Sequence, residues 1–331
     1  MRFLIPAVAS AAVAAIAWAL PAQAATTIKV STCHNKTHDH AEVFFKAFFD
    51  PLNKNKQDLE LKYIGGPEIT PFRKQGALVK RGLIDMIFCP TPYYGGLLTE
   101  ARMPGVHNKS LAEMRKNGAW DLLQKAWNKG LNAQIIAWPA FDASTFHIYT
   151  KFKPKVSEKT GLDLTGRKMR STGLYNPLLK AMNALPINIS PSDVFTGLQR
   201  GVVDGIAWPK GSIGKYGWQK FLKYRISPNF YGGTFFVIMN KKKYDSLSDA
   251  HKKLVAKHAR SYEKKSDELI REKFVIDEAK LKAAGVVDIK LTGKAATAFL
   301  NTVYGAKWAQ NDSLKYLVDY KKLKSLMYTP K

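Results

Sequence analysis

Arg170 closes a strand-like Lys-Met-Arg and opens the turn Ser171-Thr172-Gly173-Leu174-Tyr175. A guanidinium at a strand end can hold a carboxylate through two parallel charge-assisted hydrogen bonds, which the point charge of a lysine does not reproduce. The competing reading is an ordinary surface arginine. Three more stretches place reactive or polar groups just after short apolar runs: Cys33-His34-Asn35 with Thr37, Cys89-Pro90-Thr91-Pro92-Tyr93-Tyr94, and Ala207-Trp208-Pro209-Lys210-Gly211. His34, His38 and His40 with Asp39 are of metal-ligating type, and His34 and His38 stand at i and i+4 if a helix begins early. The same segment also reads as a helix entrance capped by Thr37 or Asp39, with the imidazoles free to hydrogen-bond a solute, so no metal is expected. For Cys33 and Cys89 a disulfide and two free thiols both fit, because sequence does not give the Cα spacing.

Catalytic signatures are missing. There is no Gly-x-Ser-x-Gly elbow, phosphate loop or dinucleotide fingerprint, and Cys33 beside His34 lacks an orienting partner. No Cys-x-x-Cys or His-Glu-x-x-His occurs either, so no cofactor is expected and an exported hydrolase stands only as the alternative of another class.

The elements that position these groups repeat. Pro71 to Ile87 reads as a helix running into Arg81-Gly82-Leu83-Ile84-Asp85-Met86-Ile87, and Pro191 to Ile206 as a helix running into Arg200-Gly201-Val202-Val203-Asp204-Gly205-Ile206. In each, glycine sits where a helix C-terminus needs a left-handed residue, and an apolar run suited to a buried strand follows. Ser190, Pro191 and Asp193 supply a helix start. Thr27 to Cys33 predicts an opening strand, followed by a helix with Phe44, Phe45, Phe48, Phe49 and Leu52 on one face. Leu131 to Trp138 and Thr145 to Thr150 read as strands joining two halves, Arg167 to Ser171 as the first strand of the second half, and Phe235 to Met239 as a later strand. About 246 to 285 has almost no helix breakers and predicts one long helix or a helix pair. The expected class is α/β, with two lobes and a cleft between them where parallel strands end.

The chain has 331 residues with 52 Lys and Arg against 26 Asp and Glu, a formal charge of +26. That length suggests more than one core. The charge alone would point to nucleic acid. However, residues 1–24 carry Arg2, an alanine-rich apolar run and a small-residue ending at Ala22 and Ala24, the pattern of a cleaved export signal, and an exported protein does not meet a genome. The alternative is an uncleaved anchor. Lysines such as Lys241 to Lys243, Lys252 with Lys253, Lys264 with Lys265 and Lys321 with Lys322 are scattered among acids at helical period, as on solvated helix faces. A soluble periplasmic protein is therefore expected.

From Leu164 to Pro209, Leu-Thr-Gly-Arg-Lys-Met-Arg followed by Phe-Thr-Gly-Leu-Gln-Arg-Gly-Val-Val-Asp-Gly-Ile-Ala-Trp-Pro resembles the signature region of the solute-binding proteins of tripartite ATP-independent periplasmic (TRAP) transporters, the DctP type. Phe236 to Ser248 resembles that family's strand leading into its long helix. The resemblance implies the two-lobed binding-protein fold with a long bracing helix: lobe I at 25–145 with about 236–260 returning, lobe II at 146–235, the helix at 246–285, and C-terminal helices over 286–331. It implies cleft closure on an organic acid, delivery to the small and large membrane permease subunits, and no catalysis by this chain. Arg170 matches the position that pairs with the ligand carboxylate. Trp208 stands where other branches carry a polar residue and a keto-acid branch carries Trp. Ala207 replaces the Glu that helps hold a metal in that branch. Phe146 lies about where some members have a second arginine, and Tyr231 near a third contact position. With Tyr93, Tyr94 and Tyr175 these rings imply an aromatic or hydrophobic monocarboxylate, the alternative being a dicarboxylate or 2-keto acid.

Overall fold

The computed structural model describes residues 25–55 and 58–329, so the export-signal expectation for 1–24 lies outside the described residues. Thirteen strands occur among them: β1 Thr26–Thr32, β2 Leu59–Tyr63, β3 Met86–Pro90, β4 Ala133–Ala137, β5 Phe146–Thr150, β6 Lys155–Ser157, β7 Gly161–Asp163, β8 Lys168–Ser171, β9 Leu185–Asn188, β10 Gly205–Pro209, β11 Tyr224–Phe230, β12 Phe235–Asn240 and β13 Val287–Lys290. One sheet has the order β2-β1-β3-β12-β4, the other β13-β11-β5-β10-β8-β9, and β6 with β7 forms a small ribbon. The molecule is thus an α/β protein of two lobes, each built on one mixed sheet.

The sequence echo has a structural counterpart. Gly82 and Gly201 adopt φ +73° and +71°, ending their helices in the left-handed region that glycine enters without steric cost. The aspartate three residues on then clips the neighbouring strand: Asp85 Oδ2 accepts from Lys29 N at 2.8 Å, and Asp204 Oδ2 from Lys168 N at 2.9 Å. Both helices are shorter than expected, Gln75–Lys80 and Val194–Gln199. Ser190 makes no cap bond to the backbone; its hydroxyl is held by the Asp193 carboxylate at 2.6 Å.

The first helix departs from its expected face. Phe45–Phe49 is a π-helical turn between Asp39–Phe44 and Asp50–Asn53, and the added residue rotates the phenylalanine stripe. Phe44, Phe48, Phe49 and Leu52 remain buried, whereas Phe45 turns towards Tyr63 at the rim. Its cap is His38, not Thr37 or Asp39: His38 Nδ1 accepts from His40 N at 3.2 Å.

Besides the long helix that leads from β12 to β13, two short backbone crossings join the lobes, Trp138–Thr145 between β4 and β5 and Tyr231–Thr234 between β11 and β12. They lie against each other. Gly233 N donates to Phe141 O at 3.0 Å, and a Cβ on Gly233 would sit 2.5 Å from Ala140 O, so only glycine permits the approach. β12 enters the first sheet between β3 and β4, antiparallel to both. Residues 249–283 form one continuous helix capped by the Ser248 hydroxyl, with Val255, Tyr262 and Ile270 in the first lobe's core and Leu281 in the second's. The C-terminal segment is not all helical: β13 pairs in parallel with β11 at the edge of the second sheet before the helices Gly293–Asp312 and Tyr320–Met327.

Candidate ligand-binding site between the lobes

β1, β3, β8 and β10 deliver their carboxyl ends to the gap between the sheets. The antiparallel β5 and β12 bring their amino ends to the same edge, because the crossings arrive there. The resulting small cavity, ≈ 40 Å³, is lined by Arg170, His34, His38, Tyr93, Phe146, Trp208, Tyr175, Phe235, Thr172, Thr234 and Leu174, with Pro90, Pro92 and Pro209.

Arg170 is the one cation in this wall and is 1 % exposed. Its Nε donates to Ile189 O at 3.3 Å, its Cζ lies 4.9 Å from the centre of the Trp208 ring, and it interacts with the phenols of Tyr93 and Tyr175. It forms no ion pair among the described residues. Burial pulls its pKa down, opposed by the two phenols, which means the charged form lacks compensation inside the fold. A buried guanidinium satisfied only in part gains from an anion that completes its hydrogen bonds and neutralises its charge.

The histidines gather without forming a metal cluster among the described residues. His34 stacks on His38 with centroids 4.1 Å apart, and His40 stacks on Phe235 at 4.4 Å. Burial drives His34 down to about 3, helped by His40 and Arg170, and drives His38 well below its ordinary value. Burial also takes His40 to about 4, against the pull of Asp39. Neutral imidazoles leave the cavity with one positive charge. His34 Nε2 makes a long hydrogen bond of 3.5 Å with Tyr93 OH, and both side chains line the cavity.

Several expected residues lie elsewhere. Tyr94 turns away from Tyr93 into the first lobe's core, where its hydroxyl accepts from Trp127 Nε1 at 3.3 Å. Thr91 is fully buried beneath the wall, its amide bonded to Thr234 O. The Ser171 hydroxyl bonds Asn176 Oδ1 at 2.6 Å, and Asn35 is exposed. Tyr231, at φ +55°, belongs to the second crossing; its hydroxyl donates to Val303 O at 3.0 Å and its ring backs Phe146 edge-on. Cys33 and Cys89 are joined by a disulfide with Cα atoms 5.0 Å apart, tying β1 to β3 beneath His34.

Residues not singled out from sequence complete the wall. Thr234 and Phe235 line it, and Tyr216 packs behind it, its ring centroid 6.2 Å from that of His38 and 6.4 Å from that of Trp208. Reading strand ends finds only carboxyl ends; Thr234 and Phe235 stand at the amino end of an antiparallel strand. A larger open groove, ≈ 580 Å³, carries Lys210, Arg225 and Glu278. Arg225 is answered there by Glu278 and Asp288 and Lys210 by Glu278 at 3.3 Å, and the third cation, Arg271, is exposed to solvent, so the groove lacks the buried uncompensated charge of the interlobe cavity.

Residues 79–309 match the family described as bacterial extracellular solute-binding protein, family 7, or DctP. Among solved structures the fold is similar to DctP7 of Bordetella pertussis, an extracytoplasmic solute receptor binding pyroglutamic acid, with TM-score 0.76, 18% identity, and 91% of this chain and 99% of that chain covered. It is similar to a TRAP periplasmic solute-binding protein of Desulfovibrio salexigens with bound orotic acid (TM-score 0.73, 17% identity, 86% and 92% covered). A third is the Sulfitobacter protein with bound β-D-galacturonate (TM-score 0.74, 17% identity, 91% and 99% covered). No helix among the described residues is long and apolar enough to cross a membrane.

Proposed function

The chain belongs to family 7 of the bacterial extracellular solute-binding proteins, the receptors of TRAP transporters, and from that premise we propose that it captures an organic acid between its lobes and delivers it to the membrane permease subunits. The family is one of receptors, not enzymes, and its extracytoplasmic setting carries over with it. The solved relatives hold pyroglutamate, orotate and galacturonate, each of which carries a carboxylate.

The finer reading is an aromatic or apolar monocarboxylate. The observation that carries it is Arg170, buried without an acid partner in a wall of rings with no second cation. One guanidinium answers one carboxylate, while Phe146, Trp208, Tyr175 and Phe235 offer ring faces to the rest of the solute. Closure excludes water from this pair and so strengthens it.

A thermal-shift screen of carboxylic acids should rank aryl and branched apolar monoacids above sugar acids, since a ligand that binds only the folded state raises its melting temperature. Arg170→Ala should weaken the best ligand by about 2 kcal/mol or more, roughly 30-fold, on titration calorimetry. Near-native affinity in that variant would refute the assignment.

A further inference from the structure

We propose that the molecule carries a second anion subsite, built around Lys307 and Arg102, at the junction of both lobes with the Gly293–Asp312 helix. It lies in a separate cavity of ≈ 80 Å³ that shares Pro92 and Leu174 with the wall of the Arg170 cavity. Lobe I contributes Gly95, Gly96 and Arg102, and lobe II contributes Gly173.

Lys307 is 1 % exposed, in the middle of a helix whose other inward residues include Phe299, Val303 and Trp308. Its ammonium has two neutral acceptors, Gln310 Oε1 at 2.8 Å and Gly173 O at 3.3 Å. Neither Lys307 nor Arg102 forms an ion pair among the described residues; Arg102 Nε donates to Gly95 O at 2.9 Å. A lysine is almost never buried so completely unless it is paired. Here the nearest charge that acts on it is another cation. Burial, with Arg102 adding to it, lowers Lys307 to about 7, as expected for an ammonium whose counter-charge is not among the protein's own groups.

The cavity is shaped to admit that counter-charge. Gly96 and Gly173 are exposed lining residues, and Cβ atoms on them would meet nothing within 4 Å, so the backbone leaves the mouth of the cavity open. The volume suits a monatomic anion or a single carboxylate group. The shared chemistry is one small negative charge bridging two lobes. Its source is either a free anion such as chloride or a distal acid group of a solute whose first carboxylate lies on Arg170.

Two measurements separate the sources. In solute-free protein, chloride replaces the bulky sulfonate of a sodium HEPES buffer at constant ionic strength. A free-anion site raises the melting temperature by ~2–4 °C in the native protein, and Lys307→Met and Arg102→Gln each remove most of that rise. In chloride-free buffer, titration calorimetry compares glutarate and adipate with valerate and caproate. A distal-acid site makes the diacid at least ~10-fold tighter than its monoacid, and Lys307→Met erases the difference. The first measurement is independent of the proposed role of Arg170 and only the second rests on it. Arg170→Ala therefore keeps the chloride response while abolishing the second effect. If neither chloride nor a second carboxylate produces a response that Lys307→Met removes, the subsite does not exist.

Discussion

Buried histidines give this protein a steep acid limb. His34 and His107 are held at about 3, His40 and His147 at about 4, and His38 well below 6.5, with burial the leading cause in every case. The unfolded chain takes up a proton at each ring near pH 6.5, whereas the folded one does not. Their contribution is therefore intact above pH 6.5 and drains away as pH falls towards 4, by up to ~1.4 kcal/mol per unit for each ring. Thermal unfolding should show the melting temperature dropping steeply between pH 6.5 and 4.5. His107 packs on Phe141 at 4.1 Å, away from the cavity, so His107→Phe should flatten the slope without touching solute binding. An unchanged slope would mean that the rings are protonated in place. Trp208 belongs to the same scale: its ring lies against Arg170, so solute should alter tryptophan fluorescence, and Trp208→Phe should lose most of the change.

The long helix Asp249–Ala283 does more than fill a gap between lobes. Glu263 Oε1 accepts from Trp138 N at 2.9 Å, Ser266 Oγ from Ala140 N at 2.7 Å, and Asp267 Oδ1 from Ala143 N at 2.6 Å. One helical face at i, i+3 and i+4 thus satisfies the backbone of the first crossing, and further along Asp277 Oδ1 accepts from Gly214 N at 2.7 Å. Arg115 grips Glu263 through both oxygens at 2.7 and 2.9 Å. Glu263→Gln leaves Arg115 without its anion and should cost about 2–3 kcal/mol in chemical denaturation; a loss under ~0.5 kcal/mol would show that the crossing is held by other means.

The breaker-free sequence of 246–285 made the helix itself legible, as Gly82 with Asp85 and Gly201 with Asp204 made the repeated helix-to-strand turn legible. The acceptor face was not, because Glu263, Ser266 and Asp267 look like any polar residues among lysines until the crossing is seen to lie on them. Edge strands hid for a related reason: Leu185–Asn188 and Val287–Lys290 are short and half-exposed, so they lack an apolar run. At the cavity, Arg170 was found by residue type, while Tyr93 and Tyr94 differed only in which way one short turn points them.

At the scale of the molecule, lobe-to-lobe contact is polar at the rim and aromatic within. Asp39, at the start of the first helix, accepts from Ser212 Oγ at 2.6 Å and pairs with Lys215 at 3.2 Å, both from lobe II. Glu42 joins them through Lys215 and Lys273. The contacts of Asp39 and Glu42 with Ser212 and Lys215 exist only while the lobes meet, so they bias the open–closed equilibrium; the Glu42–Lys273 pair lies within the first lobe. Asp39→Ala should enlarge the radius of gyration of solute-free protein in X-ray scattering and weaken solute by roughly 3–10-fold. Identical scattering curves would show that the rim contacts do not set the population. Glu42 and the two lysines are half-exposed, so added salt should act in the same direction as the substitution. Most of the +26 charge lies outside this cluster, on solvated faces such as Lys264 and Lys265.

A 35-residue helix is about 52 Å long, and here it is rooted in one lobe from Val255 to Phe274 while Leu281 near its end is seated in the other. Only the arm beyond Phe274, about 14 Å, is free to act as a lever, and a tilt of ~15° there sweeps its tip by roughly 4 Å, enough to unseat Leu281 from the second lobe. A nudge from outside against the exposed Val275 and Ile276 would therefore bear on the one stretch of the helix that joins the two lobes, with no part of the pusher entering the cleft.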